Sequence, residues 1–171
     1  GSAAAQILKA AGCKVIGVAG GPMKKQWCVD VAGMDACIDY KNEDVAARIK
    51  KLAPDGLNMI FENVGGAILD AGLDNLAIGA RISLCGAISG YDSDTPEPGL
   101  KNYMNLVIQR GTMKGFVMLD YINRMQEGGM QVAALAAQGK LKVEIDMQEG
   151  FENIPATLRR LFEGKNIGKQ L

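Results

Sequence analysis

Residues 14–25, Lys-Val-Ile-Gly-Val-Ala-Gly-Gly-Pro-Met-Lys-Lys, require a strand, a sharp turn and a helix in immediate succession. Val15 to Ala19 is a short apolar run rich in β-branched residues and bounded by turn formers, the pattern of a buried strand. Gly20 and Gly21 allow a tight turn with exposed backbone. Pro22 suits a first helical turn, where its missing N–H costs nothing. Met23, Trp27 and Val31 follow at helical spacing, and Gly33 is placed to end the helix. In a doubly wound sheet the end of the second strand is where an adenosine ribose rests. A site built for NAD usually offers Asp or Glu there to the ribose hydroxyls. Here the position is Gly20, and Lys24 and Lys25 follow. A turn with no carboxylate and a nearby ammonium suits a 2′-phosphate, and so NADP rather than NAD.

The same alternation continues. Ser2 to Ala11 reads as a helix with Ala3, Ile7 and Ala10 on one face and Gly12 as its stop. Ala36 to Tyr40 is a strand. Asn42 is placed to cap a helix carrying Val45, Ile49 and Leu52, with acids in its first turn and Lys50 and Lys51 in its last, as the helix dipole favours. Leu57 to Phe61 is a strand, residues 62–66 a turn, and Ile68, Leu69, Leu73 and Leu76 a helix reaching Gly79. Ala80 to Cys85 is a strand, Asp92 to Gly99 a loop, and Leu100 to Arg110 a helix. Thr112 to Met118 is a further strand, and residues 121–138 are helical despite Gly128-Gly129. Leu141 to Ile145 is extended, and Ile154, Leu158, Leu161 and Phe162 mark a last helix ended by Gly164. Regular alternation predicts an α/β chain: a Rossmann-type, doubly wound parallel sheet with helices on both faces. Because the chain opens on a helix followed by a strand, a first strand is expected to precede it, making this the cofactor domain of a longer protein.

With 171 residues, one domain with a sizeable core is expected. The net charge of +0 gives no electrostatic support for a nucleic-acid or anionic-membrane partner. No apolar run approaches the ~20 residues that span a bilayer. Cysteines at 13, 28, 37 and 85 form no C-x-x-C pair, so a reducing cytoplasm fits and neither a disulfide framework nor a zinc knuckle is indicated. The chain has no histidine, which removes histidine-based triads and metal sites from it. Any chemistry here is expected to come from a cofactor.

Ligands of such a sheet sit at the carboxyl ends of its strands. The turns there carry Ala19-Gly20-Gly21-Pro22-Met23-Lys24, Ile38-Asp39-Tyr40-Lys41, Phe61-Glu62-Asn63-Val64-Gly65-Gly66, Leu84-Cys85-Gly86-Ala87-Ile88-Ser89, Lys114-Gly115-Phe116-Val117 and, near the end, Gly164-Lys165-Asn166-Ile167-Gly168-Lys169. In this order they resemble the zinc-free branch of the medium-chain dehydrogenases/reductases. The resemblance is to the leukotriene B4 12-hydroxydehydrogenase / 15-oxoprostaglandin 13-reductase group, which includes the alkenal double-bond reductases. It implies NADPH as cofactor, an enone or alkenal substrate, and reduction of the carbon-carbon double bond. It also implies no metal, and a homodimer joined through the edge strand at Thr112 to Met118.

The resemblance assigns Lys24 and Tyr40 to the 2′-phosphate. Each also reads plainly, Lys24 as a solvated first-turn lysine and Tyr40 as a strand-end aromatic. Asn63 approaches the cofactor in the family and is otherwise an ordinary turn asparagine. The loop Cys85, Gly86, Ala87, Ile88, Ser89 to Tyr91 is expected beside the nicotinamide ribose, with Cys85 a buried strand cysteine rather than a nucleophile. Tyr91 is the candidate catalytic hydroxyl, or else an exposed loop tyrosine. Phe116, Val117 and Met118 would meet the carboxamide through their backbone, and Asn166 would complete the cofactor contacts. Two other functions fit the same fold: an NADPH-binding protein with little catalysis, and a zinc alcohol dehydrogenase.

Overall fold

The computed structural model describes residues 1–91 and 98–171. Strand β1 (Ile16–Ala19) pairs in parallel with β2 (Ala36–Asp39), Ile16 opposite Ala36 and Ala19 opposite Asp39. Strands β3 (Leu57–Glu62), β4 (Leu76–Leu84) and β5 (Thr112–Gly115) form a second parallel sheet in that order. Two short strands, β6 (Ile145–Asp146) and β7 (Lys169–Gln170), pair in parallel near the C-terminus. Among the described residues β1 and β3 each pair with one strand, so each leaves an edge unpaired. The α/β alternation and the parallel pairing are those expected.

Helix α1 (Ser2–Ala10) precedes β1; α2 (Pro22–Asp30), α3 (Val45–Leu52) and α4 (Gly66–Leu73) connect successive strands from β1 to β4, followed by α5 (Asn105–Ile108), α6 (Met125–Ala137) and α7 (Ile154–Phe162). One core cluster joins Leu69, Leu73, Leu76, Ala80 and Ile82, with Ile60, Leu84, Leu106 and Met113 against it. Leu73 and Ile82 lose nearly all contact with water, each such burial contributing roughly 1.5–3 kcal/mol. A second cluster joins Val15, Ala32 and Met34, with Ala5, Leu8, Trp27 and Cys28 around it. Asp35 pins this end of the molecule, accepting the Val15 N–H at 2.7 Å and pairing with Lys9 at 2.9 Å.

Several expected boundaries move. The packed face of α1 carries Ala5 and Leu8, not Ala3, Ile7 and Ala10, which are exposed. Between them Gln6 is buried, its amide exchanging hydrogen bonds with the backbone of Lys142 at 2.9 and 2.6 Å. Asp44, not Asn42, caps α3, its carboxylate accepting the Ala47 N–H at 3.0 Å. Helix α4 ends at Leu73, and Leu76 opens β4 opposite Leu57. The register then shifts so that Met59 faces Arg81, and Gly79, at φ +73°, lies in the displaced stretch. The expected helix at 100–110 is reduced to α5. Strand β5 stops at Gly115, and a 3₁₀ helix, Met118–Arg124, leads into α6. Most of the expected loop from Asp92 to Gly99 lies outside the described residues.

Candidate functional site

Two strand-end carboxylates, neither singled out from the sequence, build the two turns that matter. Asp39, the last residue of β2, is buried. Its carboxylate accepts the Gly21 N–H at 2.7 Å, the Lys41 N–H at 3.1 Å and the Asn42 side-chain amide at 2.7 Å. These hydrogen bonds, the one from Gly21 foremost, hold the Asp39 carboxyl below the usual carboxylate range. Gly21 is the N-cap of α2 at φ +90°, a conformation that a side chain resists. Asp39 thereby fixes the Gly20–Gly21 turn from the neighbouring strand.

Side chains from the neighbouring strand end fill the space beside Gly20. A Cβ there would stand 2.9 Å from the Tyr40 ring and hydroxyl and 3.0 Å from Lys41 Cε. Tyr40 and Lys41 therefore reach across from β2 to cover the end of β1. Lys24, in the first turn of α2, donates to the Gly164 carbonyl at 2.6 Å. Its ammonium is pushed below the ordinary lysine range by desolvation first and by the charge of Lys41 second, and is supported by Asp146. The two ammonium groups thus feel one another. The Gly164 contact also brings in the turn of Asn166, whose side-chain amide donates to the Gly168 carbonyl at 2.8 Å. Lys25 is not merely solvated. It pairs with Glu43, which also binds Arg48 at 2.8 Å and accepts the Asp39 N–H at 2.9 Å.

Glu62, the last residue of β3, plays the same structural part for the second turn. It is buried, and one carboxylate oxygen accepts the N–H of Val64 and, at 2.9 Å, that of Gly65. Gly65 caps α4 at φ +81°. The loop after β4 is laced to this turn. The N–H groups of Cys85, Ile88 and Ser89 donate to the carbonyls of Glu62, Asn63 and Val64 at 2.8, 3.0 and 2.9 Å. The Asn63 side chain makes no hydrogen bond among the described residues.

Beside this pair of turns lies a cleft of about 590 Å³, lined among others by Gly65, Cys85, Gly86, Ala87, Tyr91, Phe116 and Val117. Cys85 is exposed rather than buried, because β4 ends one residue before it. Tyr91 is 64% exposed, and its hydroxyl turns back to accept the Ala87 N–H at 3.2 Å. The Phe116 ring sits between Phe61 and Tyr121, at 6.2 and 6.1 Å between centroids. Met118 does not line the cleft: it begins the 3₁₀ helix and is largely exposed.

The structure thus gathers Gly20, Gly21, Lys24 and Tyr40 at one place. It gathers Asn63, residues 85–89, Tyr91, Phe116 and Val117 at another. The Lys24 ammonium and the Tyr40 phenol beside a side-chain-free glycine are a donor set for a phosphate. An open, mostly apolar cleft between strand ends is a place for a flat ring. The residues present fit a dinucleotide carrying a 2′-phosphate. Sequence reasoning passed over Asp39, Glu62 and Lys41. The available signal was an acid at the last strand position before each turn.

A model of the zinc-binding dehydrogenase family matches residues 1–134. The chain is 38% identical over 172 residues to the 2-alkenal reductase (NADP(+)-dependent) of Nicotiana tabacum, covering 100% of this chain and 50% of that protein. It is 36% identical over 174 residues to the NADPH-dependent curcumin reductase of Escherichia coli, covering 99% and 50%. The crystal structure of CurA from Vibrio vulnificus in complex with NADPH superposes with a TM-score of 0.93 at 40% identity, over 99% of this chain and 52% of that one. The chain spans about half the length of the relatives it matches. No helix among the described residues is long and apolar enough to cross a membrane. The chain belongs to the zinc-binding dehydrogenase family, in the medium-chain dehydrogenase/reductase group that includes the alkenal and curcumin reductases.

Proposed function

We propose that this chain is the NADPH-binding domain of a reductase that saturates the carbon-carbon double bond of α,β-unsaturated aldehydes or ketones. The observation that carries the reading is the pairing of a phosphate-type donor set at Gly20 with an open cleft at residues 85–91 and 115–117. The described similarity to an NADPH complex and to alkenal and curcumin reductases supports it. Lys24 and Tyr40 hold the 2′-phosphate, and the glycines of the Gly20–Gly21 turn let the backbone come close. Asn63, the 85–89 loop, Phe116 and Val117 form the wall for the nicotinamide half, while Asn166 lies with the turn that Lys24 binds at Gly164.

When bound, NADPH supplies a hydride for the β-carbon of the enone. The chain's own task is to orient that hydride and to exclude water from the reacting pair. Tyr91 is placed beside the cleft with its oxygen accepting from Ala87, which leaves its own proton to donate toward the α-carbon or the enolate oxygen. This reaction needs no Lewis acid. The assembly is a homodimer using the β5 edge, and the protein works in the cytoplasm.

The family description and a zinc-type alcohol dehydrogenase-like relative from Schizosaccharomyces pombe, 35% identical over the whole chain, favour a second reading, zinc-dependent alcohol oxidation. Steady-state NADPH consumption by the full-length protein with a 2-alkenal, before and after chelation, separates the readings. Turnover that survives metal removal supports the double-bond reductase. Turnover only with metal, or only with a saturated alcohol and NADP⁺, supports the second reading. Stoichiometric NADPH binding without turnover of either kind supports a binding protein.

A further inference from the structure

We propose that Lys41 is a second specificity-determining cation, which together with Lys24 selects a 2′-phosphorylated adenosine at the Gly20 turn. The inference rests on the cofactor reading above and assigns a role to a residue that the reading does not use.

Three observations carry it. The Lys41 stem crosses Gly20, its Cε lying 3.0 Å from where a Cβ would stand. This is the position at which an NAD site presents a carboxylate to the ribose hydroxyls. Here the space holds Tyr40 and Lys41 instead, so glycine at 20 both omits an acid and admits a cation. Lys41 is also anchored at its root: its N–H binds Asp39, the carboxylate that fixes Gly21. The turn and the lysine are thus positioned by one group and keep a fixed relation. Finally, the other charges nearby are engaged. Lys24 donates to Gly164 and feels Asp146, while Lys25 and Arg48 both pair with Glu43. Among the described residues the Lys41 ammonium makes neither an ion pair nor a hydrogen bond. Asp39 places a negative charge under the turn that Lys24 alone only balances; Asp146 near Lys24 is already paired with Arg160, so Lys41 supplies the surplus positive charge that favours a phosphate dianion.

The test measures dissociation constants of NADPH, NADH and 2′,5′-ADP by calorimetry on the full-length protein. The variants are Lys41→Met, Lys41→Arg and Lys24→Ala. Methionine keeps a stem against Gly20 and removes the charge. Lys41→Met is expected to weaken NADPH and 2′,5′-ADP by about three- to tenfold, with NADH changed by less than about twofold. Lys41→Arg is expected to retain most of the affinity, and the Met effect to shrink as salt rises. Unchanged NADPH affinity in Lys41→Met alongside a selective loss in Lys24→Ala would overturn the proposal while leaving the cofactor reading intact. Equal weakening of NADPH and NADH would also overturn it, since Lys41 would then act through packing. If neither variant alters the preference for the phosphorylated ligand, the proposal and the cofactor reading fail together.

Discussion

The two ends of the site are built by the same device and finished differently. At each, a buried carboxylate on the last residue of a strand accepts backbone N–H groups of a glycine turn that caps the next helix: Asp39 for Gly21, Glu62 for Gly65. At the Gly20 turn, side chains then crowd in, with Tyr40 and Lys41 against the backbone and Lys24 tied to Gly164. At the other end the loop 85–91 is laced to the turn through its backbone, but its side chains stand open to a cleft. The difference teaches a division of labour. On the proposed function, the first end is preorganised for one charged group, and the second is a frame that leaves room for a ring and a substrate.

The largest effect is expected where the open end meets the chemistry. Tyr91→Phe in the full-length protein should lower turnover with an enone much more than it weakens NADPH binding, since general-acid help contributes about 10²–10⁴-fold. A drop in turnover of less than about threefold would make Tyr91 a packing residue of the loop. That would leave the cleft without a hydroxyl donor among its described lining residues.

Next comes the crowded end. Lys24→Ala should weaken NADPH by about ten- to hundredfold, the contribution of a charge-assisted hydrogen bond, while NADH changes little. The Lys24 ammonium is desolvated and already donates to Gly164, so some of its effect is positional. Equal weakening of both cofactors would show that the Gly20 end recognises shape rather than phosphate, and the contrast between the ends would collapse.

The shared device is testable without any cofactor. Glu62→Ala strands the Val64 and Gly65 N–H groups in a buried place, so stability should fall by about 1–3 kcal/mol in denaturant unfolding. Glu62→Gln, whose amide oxygen still accepts, should recover much of the loss. Indifference to both substitutions would show that the turn is held by Gly65 alone.

The smallest effect is a pH dependence. The Asp39 carboxyl is held below its ordinary value, chiefly by the Gly21 N–H. A carboxylate depressed in the folded state contributes stability that is fully present above the unfolded value, near 4. That contribution is lost as pH falls through the folded value. The denaturation midpoint should therefore drop below about pH 4, and Asp39→Asn should flatten that limb. An unchanged acid limb in the variant would mean that Asp39 does not report on the turn.

Much of the site was legible because glycine turns are local signals. Gly20–Gly21, Gly65–Gly66 and Gly86 announce strand ends wherever they occur, and the strand-helix alternation around them fixes a parallel sheet. What could not be read depends on partners distant in sequence. Leu76 continues the spacing of Leu69 and Leu73 and so reads as helix, yet it opens β4 because Leu57 pairs with it. Asn42 and Asp44 are both good caps, and only the helix geometry selects Asp44. Met118 looked like strand because its neighbours are apolar, but the sheet ends with Gly115. Asp39 and Glu62 were invisible as scaffolds because their acceptor roles depend on backbone N–H groups that only the fold brings within reach. Lys41 was passed over for the same reason, since nothing in the sequence says that its stem lies over Gly20.

The central claim is that hydride is delivered to a carbon-carbon double bond. It is tested most directly by giving the full-length protein a 2-alkenal and NADPH deuterated at the transferred position of C4, then locating the label. The account predicts a saturated aldehyde with deuterium on the β-carbon and an unlabelled carbonyl carbon. Deuterium on the carbinol carbon of an allylic alcohol would contradict it and place the protein among the alcohol dehydrogenases of its fold.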